Sequence, residues 1–328
     1  MNSTHKVEVV PVVLEPHPNA DSLSIVRVFS GYTVVVKSSD WQGVEIAAYI
    51  PPDSVCPETE QFAFLGEHRR VKVKKLRGVV SMGLLVPAPE GSQVGDNVAE
   101  ILGVTHYDPP VLVSMGGEAA PAPPGYHPVY DVESLRRYAS VFVPGELVFV
   151  SEKVHGASAK FTCVDGRMHV GSRTEWKKPG GRVDDRQEPE SLWWRALVKY
   201  SQLALFLQAN PDVTVYGEVY GRVQDLHYGV ESGHDVRLAV FDILRGSEWL
   251  GPREARALAP DLPWVPTIAC EMPFDLEAIL GLAEGPSGVP GADHVREGIV
   301  VKPMVERTCL EIGRVNLKVV GNGYLGRK

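Results

Sequence analysis

No stretch of this 328-residue chain approaches the roughly 20 consecutive apolar residues that a membrane-spanning helix needs. Only four cysteines are present, Cys56, Cys163, Cys270 and Cys309, scattered and without a Cys-x-x-Cys pair. That argues against a zinc ribbon or a disulfide framework and makes a reducing cytoplasm the expected compartment. No internal repeat of roughly 20–50 residues is found. Nor is there a surplus of positive charge: 33 Lys and Arg against 41 Asp and Glu leave a formal net charge of −8. A histone-like coat for nucleic acid is thereby excluded, though a local basic surface is not, because steering depends on where charges lie. The first residues, Met1–Lys6, lack the charged-then-apolar pattern of a signal peptide. What is present is a globular composition, 44% apolar and 23% charged, at a length that predicts two domains of about 150 residues.

Residues 1–104 read as β. Alternating or β-branched runs at Lys6–Leu14, Ser24–Phe29, Thr33–Lys37, Glu45–Ile50, Arg70–Leu76 and Met82–Pro87 are separated by turn residues. Short strands without a long helix predict a small barrel or sandwich. Residues 105–127 are rich in Pro and Gly and predict a linker. Residues 128–328 alternate β-rich runs with helical spacing at Glu190–Gln208 and Leu276–Ala283, and a capped helix is expected at Asp131–Ala139. The second part is therefore α+β, with mainly antiparallel strands.

The run Arg69–Arg77 packs six cations into nine positions. As a strand it would put Arg70, Lys72 and Lys74 on one face and Val71 and Val73 on the other. Two readings stand: a solvated barrel face, or a phosphate-contacting stripe whose like charges are relieved by an anion. His17 and Asp21, near Pro16, Pro18 and Asn19, fit turn chemistry better than a metal site.

In the second part, Glu152-Lys153-Val154-His155-Gly156 ends an apolar strand on a lysine. An unperturbed lysine is neutral at pH 7 only about once in 2,500 molecules, so a nucleophilic role requires burial, neighbouring cations or a metal to lower its pKa. Further on, Glu218 stands among aromatics in Tyr216-Gly217-Glu218. Phe241 offers an aromatic face in an apolar strand, Glu297 and Lys302 bound the run Glu297–Lys302, and Asn316 and Lys318 share a face. Arg173 follows the lysine by about 20 residues.

The stretches Glu15–Leu23 and Lys75–Gly83 resemble the tRNA-binding OB-fold module of some aminoacyl-tRNA synthetases. From Lys153 to Lys318, five motifs in order resemble those of the covalent nucleotidyltransferase superfamily, the polynucleotide ligases and mRNA capping enzymes. Tyr130–Tyr138, Pro144–Val148 and Glu152–Gly156 resemble the nick-sealing RNA ligases in particular. His155 is part of that likeness, since DNA ligases and capping enzymes usually carry Asp there. An OB-like module ahead of the catalytic domain resembles the Deinococcus-type RNA ligases.

The resemblance implies an N-terminal OB-like barrel followed by a nucleotidyltransferase domain with an ATP-grasp-like antiparallel sheet and helix. It also implies an ATP-dependent RNA ligase with Mg²⁺ or Mn²⁺. The substrate would be nicked duplex RNA or an RNA–DNA hybrid, with no membrane and no protein partner. In this reading Lys153 is the nucleophile, Glu297 and Glu218 hold the metal, and Phe241 stacks on adenine. Lys302 and Lys318 face phosphate, and Arg173 takes the 5′-phosphate. His155 acts after lysine adenylylation, and Arg70, Lys72 and Lys74 contact nucleic acid. In this superfamily the last motif commonly has two lysines. Asn316 stands where the first would be, leaving Arg314 as the candidate to supply its contact. The alternatives are a DNA ligase, a capping guanylyltransferase, or a non-catalytic RNA-binding protein.

Overall fold

The computed structural model describes residues 5–107, 119–180, 182–183 and 188–327. The chain forms two compact units, Met1–Pro110 with Arg136–Ala139 and Leu325–Lys328, and Val111–Leu135 with Ser140–Tyr324. Among the described residues no helix is long and apolar enough to cross a membrane.

In the first unit, Ile46–Ile50 is the centre of an antiparallel three-stranded sheet between Glu8–Pro11 and Leu84–Pro87. Ala47, Ala48, Tyr49 and Ile50 are all fully buried, because each face of this strand meets a different cluster. A strand buried on both sides reads as a continuous apolar run. The Tyr49 hydroxyl takes its hydrogen bond by donating to the Met82 carbonyl at 2.9 Å. A second sheet joins Glu15–Pro16, Leu23–Val28 and Tyr32–Lys37. His17 is buried; its Nδ1 accepts from the Asn19 N–H at 3.0 Å and its Nε2 lies 3.3 Å from the Leu76 carbonyl, so it serves the turn.

The basic run departs from the expected single strand. Arg70 bridges Val55, whereas Lys74–Leu76 forms a hairpin with Val79–Ser81. The backbone thus changes partner midway, between Arg70 and Lys74. Val71 is still buried, and Lys72 and Lys74 are exposed.

Among the described residues the second unit holds two large sheets and two two-stranded ones. A seven-stranded antiparallel sheet runs in the order Ala119–Ala120, Trp176–Lys177, Arg167–Ser172, Ala157–Val164, Val213–Gly221, Val236–Arg245, Glu248–Trp249. A five-stranded sheet runs Glu133–Ser134, Leu317–Val320, Gly298–Pro303, Leu147–Lys153, Thr267–Pro273, antiparallel except at its first pairing. Ala159, Phe161, Cys163, Val213 and Val215 share a core with the helices Leu192–Lys199 and Ser201–Ala209. By the two-residue period of a strand, Ser158 and Glu218 lie on the opposite face.

Three local expectations are revised. The helical pattern at Glu190–Gln208 is two helices broken at Tyr200, whose backbone (φ −101°, ψ 67°) leaves the helical region. At Asp131–Ala139 only Leu135–Tyr138 is α-helical, because Glu133–Ser134 is taken into the five-stranded sheet beside Leu317–Lys318. The Pro/Gly-rich stretch is paired at both ends, Thr105–His106 with Ser54–Val55 and Ala119–Ala120 with Trp176–Lys177. Its residues 108–118 lie outside the described residues.

Candidate active site

The strand Leu147–Lys153 carries Lys153 at its last position, antiparallel to Gly298–Pro303, where Lys153 is opposite Gly298. That register puts the preceding residue, Glu297, beside the lysine. Lys153 Nζ donates to both Glu297 oxygens at 2.8 Å. The turn after Lys153 brings His155 to the same carboxylate, Nδ1 at 3.3 Å from Oε2, with Nε2 2.7 Å from Asp225 Oδ1. The Tyr228 hydroxyl accepts from the His155 N–H at 2.7 Å.

Two glycines make this approach possible. A Cβ at Gly156 would lie 2.2 Å from the Val219 carbonyl oxygen, and one at Gly298 2.0 Å from that of Val319. Both contacts are with backbone, so neither neighbour can rotate away.

From the facing sheet, Glu218 presents a second carboxylate. Burial pushes its pKa up to about 7, against the lowering charge of Lys153 and the Gly156 N–H. Lys153 shows the reverse balance. Burial alone would lower it, but Glu297 and then Glu218 hold its pKa above the ordinary lysine value. Glu297 is held below the usual carboxylate range although burial opposes this, because Lys153 and His155 favour its charge. Lys318, opposite Val300 in the neighbouring strand, is lowered by burial and then by the charge of Lys153. The site therefore holds its lysine as an ammonium clamped by Glu297.

Phe241 reaches the pocket through a β-bulge. Tyr216 pairs with Asp242 and Gly217 with Val240, leaving Phe241 as the extra residue. Bulges of this kind re-aim a side chain. Phe241, Lys153, Glu218, Ser158, Val300 and Tyr130 line a pocket of about 120 Å³ between the two sheets. The Tyr130 ring lies 4.6 Å from that of Phe241.

Lys302 lines the same pocket but is already neutralised: Nζ donates to Asp242 Oδ2 at 2.6 Å and to the Phe241 carbonyl at 2.8 Å. Asp242 also receives Arg314 Nη1 at 2.7 Å and the Tyr130 hydroxyl at 2.6 Å. Burial would raise the Asp242 pKa, but Arg314 and Lys302 hold it below its usual value. Arg314 is further tied to Glu306, Nε to Oε2 at 2.9 Å, so it is committed to carboxylates. Asn316, buried, donates to the Tyr130 hydroxyl at 2.5 Å. Arg173 is exposed and paired with Asp131, Nε to Oδ1 at 2.9 Å.

The structure thus brings together Lys153, His155, Glu218, Phe241, Glu297 and Lys302 around or beside one pocket, with Lys318 within electrostatic reach. Arg70, Lys72 and Lys74 belong to the other unit. Sequence reasoning passed over Asp242 and Glu152. Both are carboxylates inside apolar strands, which was the available signal. Glu152 is buried beside the lysine and accepts from Ser287 Oγ at 2.5 Å and the Gly288 N–H at 2.6 Å. Among the described residues, no cluster of three or more His, Cys, Asp or Glu could hold a metal by itself.

A family model described as RNA ligase matches residues 146–320, and one described as an OB-fold domain matches residues 5–88. No curated protein matches the chain. An apo lysine-to-alanine mutant of a Naegleria gruberi RNA ligase is similar in fold, with TM-score 0.79 and 23% identity over 98% of each chain. A lysine-to-alanine mutant with ATP and Mn gives TM-score 0.79 and 23% identity over 97% of this chain and 98% of that one. A glutamate-to-alanine mutant with AMP and Mn gives 0.78 and 23% over 98% of each.

Proposed function

The chain belongs to the RNA ligase family, and on that premise we propose that it seals 3′-OH/5′-phosphate nicks in duplex RNA or RNA–DNA hybrids, using ATP, as an RNA-repair enzyme of the cytoplasm. The observation that carries this reading is an amine, Lys153, set between two carboxylates at the mouth of an aromatic-lined pocket. The similar Naegleria structures with ATP or AMP and Mn support the choice of nucleotide and metal.

In the first step the Lys153 ammonium, held by Glu297, loses a proton to solvent, and the neutral amine that results attacks the α-phosphorus of ATP. The N–P bond forms, the bond to the β-phosphate oxygen breaks, pyrophosphate leaves, and the proton released from the nitrogen passes to solvent. A 5′-phosphate oxygen of the nick then attacks the same phosphorus, breaking the P–N bond and returning the amine to Lys153. Finally the 3′-OH attacks the adenylylated 5′-phosphate, closing the phosphodiester and expelling AMP. Phosphoryl transfer of this kind needs placement and charge neutralisation more than covalent help.

Phe241 stacks on adenine, and Lys302, fixed by Asp242, forms the pocket wall. Lys318, with no ion pair among the described residues, supplies a cation for phosphate, and Arg173 exchanges Asp131 for the 5′-phosphate of the nick. His155 keeps Glu297 oriented after adenylylation. Two carboxylates facing one lysine fit a single Mg²⁺ or Mn²⁺, which Glu297 and Glu218 would hold. Bound there, the ion would neutralise charge on the triphosphate. Residues 128–328 are the catalytic domain, 105–127 the connection, and 1–104 the nucleic-acid-binding domain, in which Arg70, Lys72 and Lys74 contact phosphate.

Intact mass after incubation with ATP and Mg²⁺ or Mn²⁺, followed by sealing of matched RNA and DNA nicks, tests the reading. One adenylyl adduct is expected on the wild type and none on Lys153→Ala. No adduct with ATP, or an adduct that survives Lys153→Ala, overturns it.

A further inference from the structure

The first unit contains a groove of about 750 Å³ beside the basic run, lined in part by Arg70, Lys72 and Lys74. Its size falls in the range of small-molecule sites, and its lining is unusual for a solvated barrel face. One wall is Phe64. Of the nine phenylalanines it is the single exposed one, at 64% of its full area. The short 3₁₀ segment Glu60–Leu65 explains this: it spends Phe62 on the core and turns Phe64 outward. The lining also holds a stack, with the Arg70 guanidinium 3.7 Å from the centroid of the Tyr107 ring. Asp53 pins that guanidinium edge-on, Nε at 3.0 Å and Nη2 at 2.6 Å from Oδ1. Lys72 and Lys74 line the groove as exposed cations, with Glu67 as the single lining carboxylate among the described residues.

Flat π faces in a groove with surplus positive charge suit an unpaired polynucleotide, whose bases stack on aromatics while its phosphates meet lysines. Paired bases in a duplex keep their faces covered and cannot use Phe64. We propose that this groove binds unpaired RNA by base stacking on Phe64 and on the Arg70–Tyr107 pair, so that the first unit captures a frayed or overhanging strand as well as duplex backbone. The inference deepens the reading of this unit as a nucleic-acid surface.

The test is binding of the full-length protein to two fluorescent RNAs, a single-stranded decamer and a blunt, fully paired hairpin, at several salt concentrations. Phe64 is exposed, so its substitution leaves the core intact. Phe64→Ala and Phe64→Leu should each weaken decamer binding by at least about fivefold, from the known worth of one base–aromatic stack. Hairpin binding should stay within about twofold, and Phe64→Tyr should retain decamer affinity. The decamer salt slope should not change in Phe64→Ala, since stacking releases no counterions. Decamer affinity unchanged in Phe64→Ala overturns the proposal, as does an equal loss on decamer and hairpin. Adenylylation of the wild type by ATP alone reads the ligase chemistry separately. Its failure would defeat the proposed reaction while leaving the binding comparison intact.

Discussion

At Asp242 one buried carboxylate takes Lys302, Arg314 and the Tyr130 hydroxyl, whereas in the first unit Lys72, Lys74 and Lys75 stand exposed, with no ion pair among the described residues. Both regions are basic in sequence, but the first is balanced internally and the second is left in surplus. A buried cation without its partner is costly, which is why Lys302 and Arg314 converge on the buried Asp242 carboxylate. An exposed cation costs little and stays available to an anion from outside. Arg70 stands between the two cases, half-buried and already held by Asp53. Cations in sequence therefore carry different meanings depending on whether a carboxylate lies across the sheet.

The sharpest way to break this comparison is at Lys153. Lys153→Arg keeps the positive charge facing Glu297, yet a guanidinium stays protonated and cannot attack phosphorus. Adenylyl transfer should fall to nothing detectable by intact mass. Any wild-type-like labelling would mean that charge, and not a deprotonated amine, is what the site requires.

Next comes the buried hub. Asp242→Asn leaves Lys302 and Arg314 facing a neutral amide, and should cost about 3–5 kcal/mol in chemical unfolding. Asp53→Asn, at an exposed pair, should cost no more than about 1 kcal/mol. Equal losses would erase the distinction between the two regions.

Glu297→Gln should lower adenylylation by about 100-fold, on the order of 2.7 kcal/mol at 1.36 kcal/mol per decade. The same substitution has an opposite effect on the free amine. Glu297 raises the Lys153 pKa by favouring the ammonium, so its removal lowers that pKa. Acylation of Lys153 by a small amine-reactive reagent should then set in at lower pH than in the wild type. Slower acylation in the variant would place the clamp elsewhere.

The smallest effect belongs to the exposed run. Replacing Arg70, Lys72 and Lys74 by Ala should weaken nicked-duplex binding and flatten its salt dependence by up to about 0.9 log units per lost phosphate contact. Arg70→Ala alone should contribute the least, because Asp53 already takes part of its charge. An unchanged slope in the triple variant would make the run a solvated face.

Where the chain packs a strand between two apolar layers, its sequence announced it. Leu147–Val150 and Ile46–Ile50 are continuous apolar runs, and the structure has strands at Leu147–Lys153 and Ile46–Ile50. Order along the chain also carried the family motifs, since each sits on a strand or at its end. The misses arise where a partner distant in sequence decides. Arg70 pairs with Val55 while Lys74 pairs with Ser81, so a run that alternates locally is divided by its neighbours. Thr267–Pro273 is an edge strand, largely half-exposed and carrying Glu271 at φ 57°, so it offered little alternation to read. Phe241 was legible as an aromatic in an apolar strand, but its aim depends on a bulge opposite Gly217, which no local pattern encodes.

The Asp242 hub also constrains how the catalytic unit can move. Asp242 sits in the seven-stranded sheet, and Lys302 in the five-stranded one. With that carboxylate joining them, the Val236–Arg245 and Gly298–Pro303 strands open together or not at all, so their amides should exchange hydrogen as one cooperative unit. A nucleotide then enters without the sheets parting at that point. The same hub fixes the Tyr130 hydroxyl, so the contact left to change is the pair of half-buried Lys153 with Glu297 at the rim, and rotation of a side chain runs orders of magnitude faster than any hinge.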